Sequence, residues 1–417
     1  MSSSTAEFVA SLDDLLAKIL LHLPVKSLVR FMSVSKRWKS LITGACFPFP
    51  HCPASGRAVG MFLLGRKKAA FHYIHLDVRN PSNRRFNELE FPDDPYAFWI
   101  HHACKGLLLC CSYGKVHLDR RNIKPPIRIC YVLNPTLNLF VKLPRPGVTN
   151  GVPRFVLGVT LAFDPAKPPY KVVCVRGSEF AVKLVQVEVY STESGKWSVA
   201  GEPFAAEFDF WNGVYSNGAV HWLHNEADEL LFYNVDEDKF GKNLLPCSRR
   251  GIRYFGESND KFHIVVCNYW NEITLMIYEM EKDRSGWFVK YKVHILPQLA
   301  AFRGRAYANL EFPLIDADLA LDFSSFSVLR LVQGENRTSF LVAKIFNKVV
   351  VLDLSSYAFR AGNEIVGSAP SEENGFEKIP DFEVIDELEE EDDLLYVPCR
   401  AFEYIPSLNM FTTPHLC

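Results

Sequence analysis

The sequence predicts two unlike parts. A small all-α unit of three helices occupies residues 10–45, and a mainly β, propeller-like domain of six to eight blades occupies residues 57–417. Three observations carry this reading. Apolar residues recur with helical spacing between Leu12 and Ile42 but not beyond. A strand–turn–strand text then recurs at intervals of tens of residues. No run of about 18 apolar residues occurs, so no segment is expected to span a bilayer and no membrane partner is expected. With 417 residues, 48% of them apolar, and a formal net charge of −2, the chain can bury a full core and has no overall attraction to nucleic acid.

Residues 1–9 read as a disordered tail. From Ser11, SLDDLLAKILLHL places Leu12, Leu15, Leu16, Ile19, Leu20 and Leu23 on one side of a helix. Ser11 can cap it, Asp13 and Asp14 favour its positive dipole end, and Pro24 stops it by removing a helical hydrogen bond. A second short helix in LPVKSLVRF carries Leu28, Phe31 and Met32 on one side. Ser33 or Ser35 can cap a third, with Trp38, Leu41 and Ile42 inward. Three such helices hold too little core to stand alone, so the unit must lean on the rest of the chain or present apolar surface to a partner.

DDLLAKIL, LPVKSLVRF and VSKRWKSLI, in that order, resemble the F-box, and closely its plant form. The resemblance implies docking to a Skp-type adaptor and, through it, to a cullin–RING ubiquitin ligase. By position it implies Leu12, Leu16, Leu23, Pro24, Leu28, Val34 and Trp38 as adaptor contacts. Packing among the helices themselves competes for the same side chains, Trp38 above all. The lysines and arginine of the third helix, Lys36, Arg37 and Lys39, read as a solvated face. No Asn or Gln stands beside them to read adenine, so no nucleic-acid partner is expected.

Beyond residue 57 the text becomes LDVRNPSNRRF (76–86), LNPTLNLF (133–140), YSTESGKW (190–197), YNVDEDKF (233–240), YEMEKDRSGW (278–287) and LDLSSYAF (352–359). Each reads as a hairpin: apolar strand, polar turn, aromatic. Spacings of roughly 45 to 57 residues without helical period fit propeller blades. One longer gap leaves room for a further unit near LDFSSFSVLRL (321–331), and FEYIPSLNMF (402–411) is either another unit or a ring-closing strand. GLLLC, VLNPTLNLFVKLP, LAFDP, VEVYSTESGKW, GAVHWL and LLFYNVDEDKF resemble the kelch-like F-box-associated domain of plants. Residues 361–393, which end in an acidic run, read as a flexible insertion.

No catalytic residue, cofactor site or metal site is expected. His221 lacks a catalytic motif around it, Cys110 and Cys111 sit in an apolar run, and the 11 cysteines include no CxxC pair. Interaction candidates are the aromatics of DPYAFWIHH, EFDFWNGVY and CNYWNE, namely Trp99, Trp211 and Trp270. The function that follows is a substrate-recognition subunit of an SCF-type ubiquitin ligase, intracellular, in nucleus or cytoplasm, with an unidentified target protein. The alternatives are an F-box scaffold acting outside ubiquitination and a propeller that binds a ligand or acts as an enzyme.

Overall fold

The computed structural model describes residues 13–43 (except 22 and 24), 58–64, 71–76, 98–113, 127–164 (except 150 and 151), 170–268 (except 182 and 206), 274–295, 326–333, 339–345, 348–354, 383–387 and 401–405. Three helices come first: α1 (Asp13–Leu21), α2 (Val25–Phe31) and α3 (Lys36–Thr43). Ser35 is the cap of α3, its Oγ accepting from the Trp38 amide at 3.1 Å. Ser33 instead donates to the Arg30 carbonyl at 2.6 Å, where α2 ends. Leu16, Leu20, Leu28 and Ile42 form the buried centre of the unit.

Six blades follow. Blade I contains β1 (Gly60–Leu64) and β2 (Phe71–His75). Blade II is β3 (Phe98–Cys104), β4 (Leu107–Tyr113), β5 (Ile127–Asn134) and β6 (Leu139–Lys142). After a short hairpin, β7 (Val148–Thr149) and β8 (Val152–Pro153), blade III is β9 (Val156–Ala162), β10 (Lys171–Gly177), β11 (Leu184–Ser191) and β12 (Lys196–Ala205). Blade IV is β13 (Val214–Ser216), β14 (Ala219–Leu223), β15 (Glu229–Asn234) and β16 (Lys239–Leu244). Blade V is β17 (Ile252–Ser258), β18 (Lys261–Asn268), β19 (Thr274–Met280) and β20 (Trp287–His294). Blade VI is β21 (Phe326–Gln333), β22 (Ser339–Ile345), β23 (Lys348–Asp353) and β24 (Glu383–Glu387). Finally β25 (Ala401–Tyr404) returns to pair antiparallel with β1.

The last described strand therefore joins the first blade and closes the ring. The segment 402–411 contains that closing strand rather than a further blade, and 321–331 leads into the inner strand of blade VI. Each inner strand lies against the next, β25 on β3, β3 on β9, β9 on β13, β13 on β17 and β17 on β21. Arg330 on β21 donates from Nε to Glu403 on β25 at 2.8 Å, completing the circle.

Every pair of neighbouring blades shares a buried apolar cluster. Middle strands consequently bury both faces: Val172 and Cys174 of β10 face blade II, while Val173 and Val175 face blade IV. This is why these strands read as continuous apolar runs rather than as alternation. In blades II to V the recurring hairpin text is the turn between the third and fourth strands, whereas the turns expected in 76–86 and 352–359 lie outside the described residues. Asn134 Oδ1 accepts the amides of Thr136 (2.9 Å) and Leu137 (3.2 Å), and Asn234 Oδ1 those of Asp236 and Glu237 (both 3.1 Å). The aromatic after the turn buttresses the preceding blade: Trp197 Nε1 donates to the Pro144 carbonyl and Trp287 Nε1 to the Leu244 carbonyl, both at 3.0 Å.

Candidate functional site

Two surfaces stand out, one on the helices and one on the propeller axis. On α1, Leu16 and Leu20 enter the helical core, whereas Leu15 and Ile19, one turn apart on the same face, remain 43% and 49% exposed. Val34, in the turn between α2 and α3, is 61% exposed. Trp38 is half-buried and meets the edge of Phe31, with ring centroids 5.2 Å apart. Arg37 of α3 forms an ion pair with Asp13 of α1, which fixes the two helices on the side where both begin and holds their charges in solvent. Leu137, in the β5–β6 turn, packs against the helical core, so the unit also leans on blade II.

The second surface is a cavity of about 420 Å³ walled by residues of the inner strands β3, β13, β17, β21 and β25. Its shape follows from a repeated irregularity. The pairing of the inner strand with its neighbour skips one residue at His101, Leu157, Arg253 and Leu329, in blades II, III, V and VI. An extra residue bends a strand and re-aims the side chains around it. His101, Arg253 and Leu329 line the cavity, as do their followers His102, Tyr254 and Arg330. The turn Phe210–Asn212 brings Asn212 to the wall, and it fits because Gly158 has no side chain: a Cβ there would collide with the Phe210 carbonyl.

The cavity wall carries both signs of charge. Glu257 is bracketed by Lys105 at 3.5 Å, burial raises its carboxyl pKa, and Lys105 also meets Asp260 at 2.7 Å. Asp209 accepts from Asn212 Nδ2 at 2.6 Å. Glu403 holds Arg330 through Nε, and the neighbouring carboxylates keep that guanidinium charged against the cost of burial.

Among the residues implied as adaptor contacts, Leu16 and Leu28 lie in the helical core, Leu23 is half-buried against it, and Leu12 and Pro24 lie outside the described residues. Leu15 and Ile19 were not singled out by sequence. Their signal was present, because the apolar positions of α1 sweep an arc of roughly 140°, wider than one small core covers. Trp99 on β3 and Trp211 in the turn before β13 are half-buried and pack on the core between blades II and III. Trp211 also meets His101 edge-on at 4.8 Å. Trp270 lies outside the described residues.

The groups screened for chemistry are packed as structure. His221 is buried and stacked on Phe262 at 4.5 Å, and burial pushes its pKa down to about 3, leaving a neutral ring. Cys110 and Cys111 are wholly buried, and burial pushes their thiols far above the ordinary range. Among the described residues no cluster of His, Cys, Asp and Glu could hold a metal ion, and no helix is long and apolar enough to cross a membrane.

Comparison with known proteins matches both parts. Residues 13–49 match the F-box domain, and residues 61–279 match the F-box associated beta propeller domain. The F-box protein At5g07610 of Arabidopsis thaliana is 30% identical over 86% of this chain and 87% of its own length. The F-box/kelch-repeat protein At3g23880 of the same plant is 24% identical over 57% of this chain and 66% of its own. A solved structure of a Lactobacillus plantarum protein aligns over 79% of this chain and 82% of that one, with a TM-score of 0.40 and 11% identity.

Proposed function

The chain belongs to the F-box proteins that carry an F-box associated β-propeller domain, and from that membership we propose that it recruits substrates to an SCF-type ubiquitin ligase. The helical unit docks to a Skp-type adaptor and thereby to a cullin–RING ligase. The propeller holds a target protein for ubiquitination and degradation. The chain supplies no catalytic group of its own; it acts by proximity, raising the effective concentration of the target near the ubiquitin-charged enzyme. It works inside the cell, in nucleus or cytoplasm.

The observation that carries this reading is the split face of α1. Its core is closed by Leu16 and Leu20, yet Leu15 and Ile19 still stand in solvent beside them. Exposed apolar neighbours on a small unit mark a docking surface. Leu15, Ile19 and Val34 are its direct contacts, joined by Leu12, Leu23, Pro24 and Trp38, while Leu16 and Leu28 set the shape of the face. Trp99, Trp211 and Trp270 belong to the target-holding domain.

The test is co-purification of the full-length chain with a Skp-type adaptor. The wild type is expected to bind, and Leu15→Asp/Ile19→Asp to weaken binding by at least about tenfold. Because both residues are exposed, thermal unfolding of the variant should match the wild type. Absence of adaptor binding by the folded wild-type protein overturns the proposal.

A further inference from the structure

The axial cavity is built in a way that the general recruiting role does not require. Three arginines, Arg249, Arg253 and Arg330, reach its wall from the turn before β17, from β17 itself and from β21. They lie at different depths: the Arg330 side chain is 14% exposed, Arg249 is half-buried, and Arg253 stands in solvent. Two of them sit in or next to the register shifts that re-aim the inner strands, Arg253 as the skipped residue and Arg330 directly after one.

The carboxylates on the same wall are already occupied. Asp209 is held by Asn212, Glu257 by Lys105, and Glu403 by the Nε of Arg330. Among the described residues, the terminal nitrogens of Arg330 meet no acceptor, and Arg249 uses only its Nε, donating to the His224 carbonyl at 3.2 Å. A guanidinium whose stem is fixed by one ion pair and whose fork remains available is pre-organised for a planar or tetrahedral oxyanion. The cavity volume, about 420 Å³, is that of a site for a small group rather than of a groove for a folded element.

We infer that this axial cavity receives an anionic side chain of the recruited polypeptide, a carboxylate or a phosphate, with Arg330 as the inner ligand and Arg249 and Arg253 guiding it at the mouth. The inference rests on the recruiting role proposed above and adds the chemistry of what is recruited. Apolar residues such as Ile252, Leu329 and Phe402 share the wall with the arginines and lower the local polarity, which strengthens charge-assisted bonds there.

The experiment presents the immobilised full-length chain with short degenerate peptide libraries that differ only in a fixed central residue: phosphoserine, glutamate, alanine or lysine. The phosphoserine pool, or the phosphoserine and glutamate pools together, should be retained about tenfold or more above the alanine pool. Phosphoserine alone identifies phosphate as the group read; both pools identify any oxyanion. Arg249→Ala/Arg253→Ala, changes near the surface, should remove most of that preference without altering thermal unfolding. Arg330→Lys, which keeps the charge for Glu403 but loses the fork, should weaken it further. Equal retention of all pools, a preference for lysine, or a preference untouched by the arginine changes overturns the inference. Adaptor co-purification of the same preparations separates this failure from failure of the recruiting role, since it reads only the helices.

Discussion

Among the described residues, the helical unit closes its core on four buried side chains, Leu16, Leu20, Leu28 and Ile42, whereas the single interface between blades III and IV buries fourteen. The blades bury apolar residues on both faces of their middle strands, so almost every valine and leucine there has a neighbour on each side. On α1 the same residue types divide between inside and outside within one turn. The middle strands of the blades consume their apolar surface internally, and exposed apolar side chains of the propeller such as Leu139, Phe140, Val199 and Leu244 lie on its outer strands. A unit that leaves apolar surface over needs a partner. The two proposed modes of recognition, an apolar face on the helices and a charged cavity on the axis, rest on this difference in where each part puts its hydrophobic area.

The comparison breaks first, and most severely, at Trp222. It is fully buried at the centre of the III/IV interface, with its ring 5.6 Å from that of Phe210. Trp222→Ala is expected to cost about 3–5 kcal/mol in urea unfolding. Leu15→Ala on the exposed face of α1 should stay within about 0.5 kcal/mol. If the two changes cost the same, the division into self-sufficient and partner-dependent parts is wrong.

How far these features are readable in sequence also differs between the parts. The hairpin text located the third-to-fourth-strand turn of blades II to V because Asn134, Ser191, Asn234 and Asp283 perform a local job, accepting amides two or three residues on. The blade count stayed open because β25, which closes the ring, is separated from β1 by most of the chain and carries no hairpin of its own. The register shifts at His101, Arg253 and Leu329 were invisible for another reason. One extra residue in a strand of seven or eight is too brief a break to show in the sequence pattern, and the paired neighbour that reveals it is set only by the fold. On α1 the apolar stripe was legible, but which edge a neighbouring helix covers depends on packing, and the split between Leu16 and Leu15 followed only from the fold.

A smaller effect sharpens the contrast through pH. His221 is neutral in the fold, its pKa pushed down from 6.5 to about 3, chiefly by burial and secondarily by the Arg284 charge. As pH falls, the unfolded chain takes up the proton first, so this contribution is complete above about 6.5 and is lost between there and about 3. Buried His263 shifts in the same direction, and Glu279, held by His263, Lys261 and Lys290, adds a loss at still lower pH because its carboxyl is depressed. His221→Phe, stacked in the same slot on Phe262, should flatten the stability profile between pH 6.5 and 5 by up to about 1.4 kcal/mol per pH unit. Urea titrations at the two pH values measure it; a profile parallel to the wild type refutes the assignment. The described residues of the exposed face of α1 include no histidine, so adaptor binding should not follow the same curve.

The smallest expected effect lies where the two parts meet. Leu137 projects from the β5–β6 turn onto the helical core, and its neighbour Thr136 places Oγ1 3.2 Å from the Tyr404 hydroxyl on the closing strand. The turn that supports the helices is therefore itself seated on the strand that locks the ring. Leu137→Ala removes partly buried apolar area worth about 1–1.5 kcal/mol, too little to move the unfolding of six interlocked blades appreciably. For a unit with four core residues the same loss is a large fraction of its local stability. Amide exchange in α1, α2 and α3 of the free chain should accelerate by about tenfold while exchange in blades III and IV stays unchanged. Unchanged exchange in the helices means they hold together without the propeller, and the support of the docking face must then come from the helices alone. If the acceleration appears and adaptor binding suppresses it, the helical unit is completed from two sides, by Leu137 within the chain and by the partner on Leu15 and Ile19.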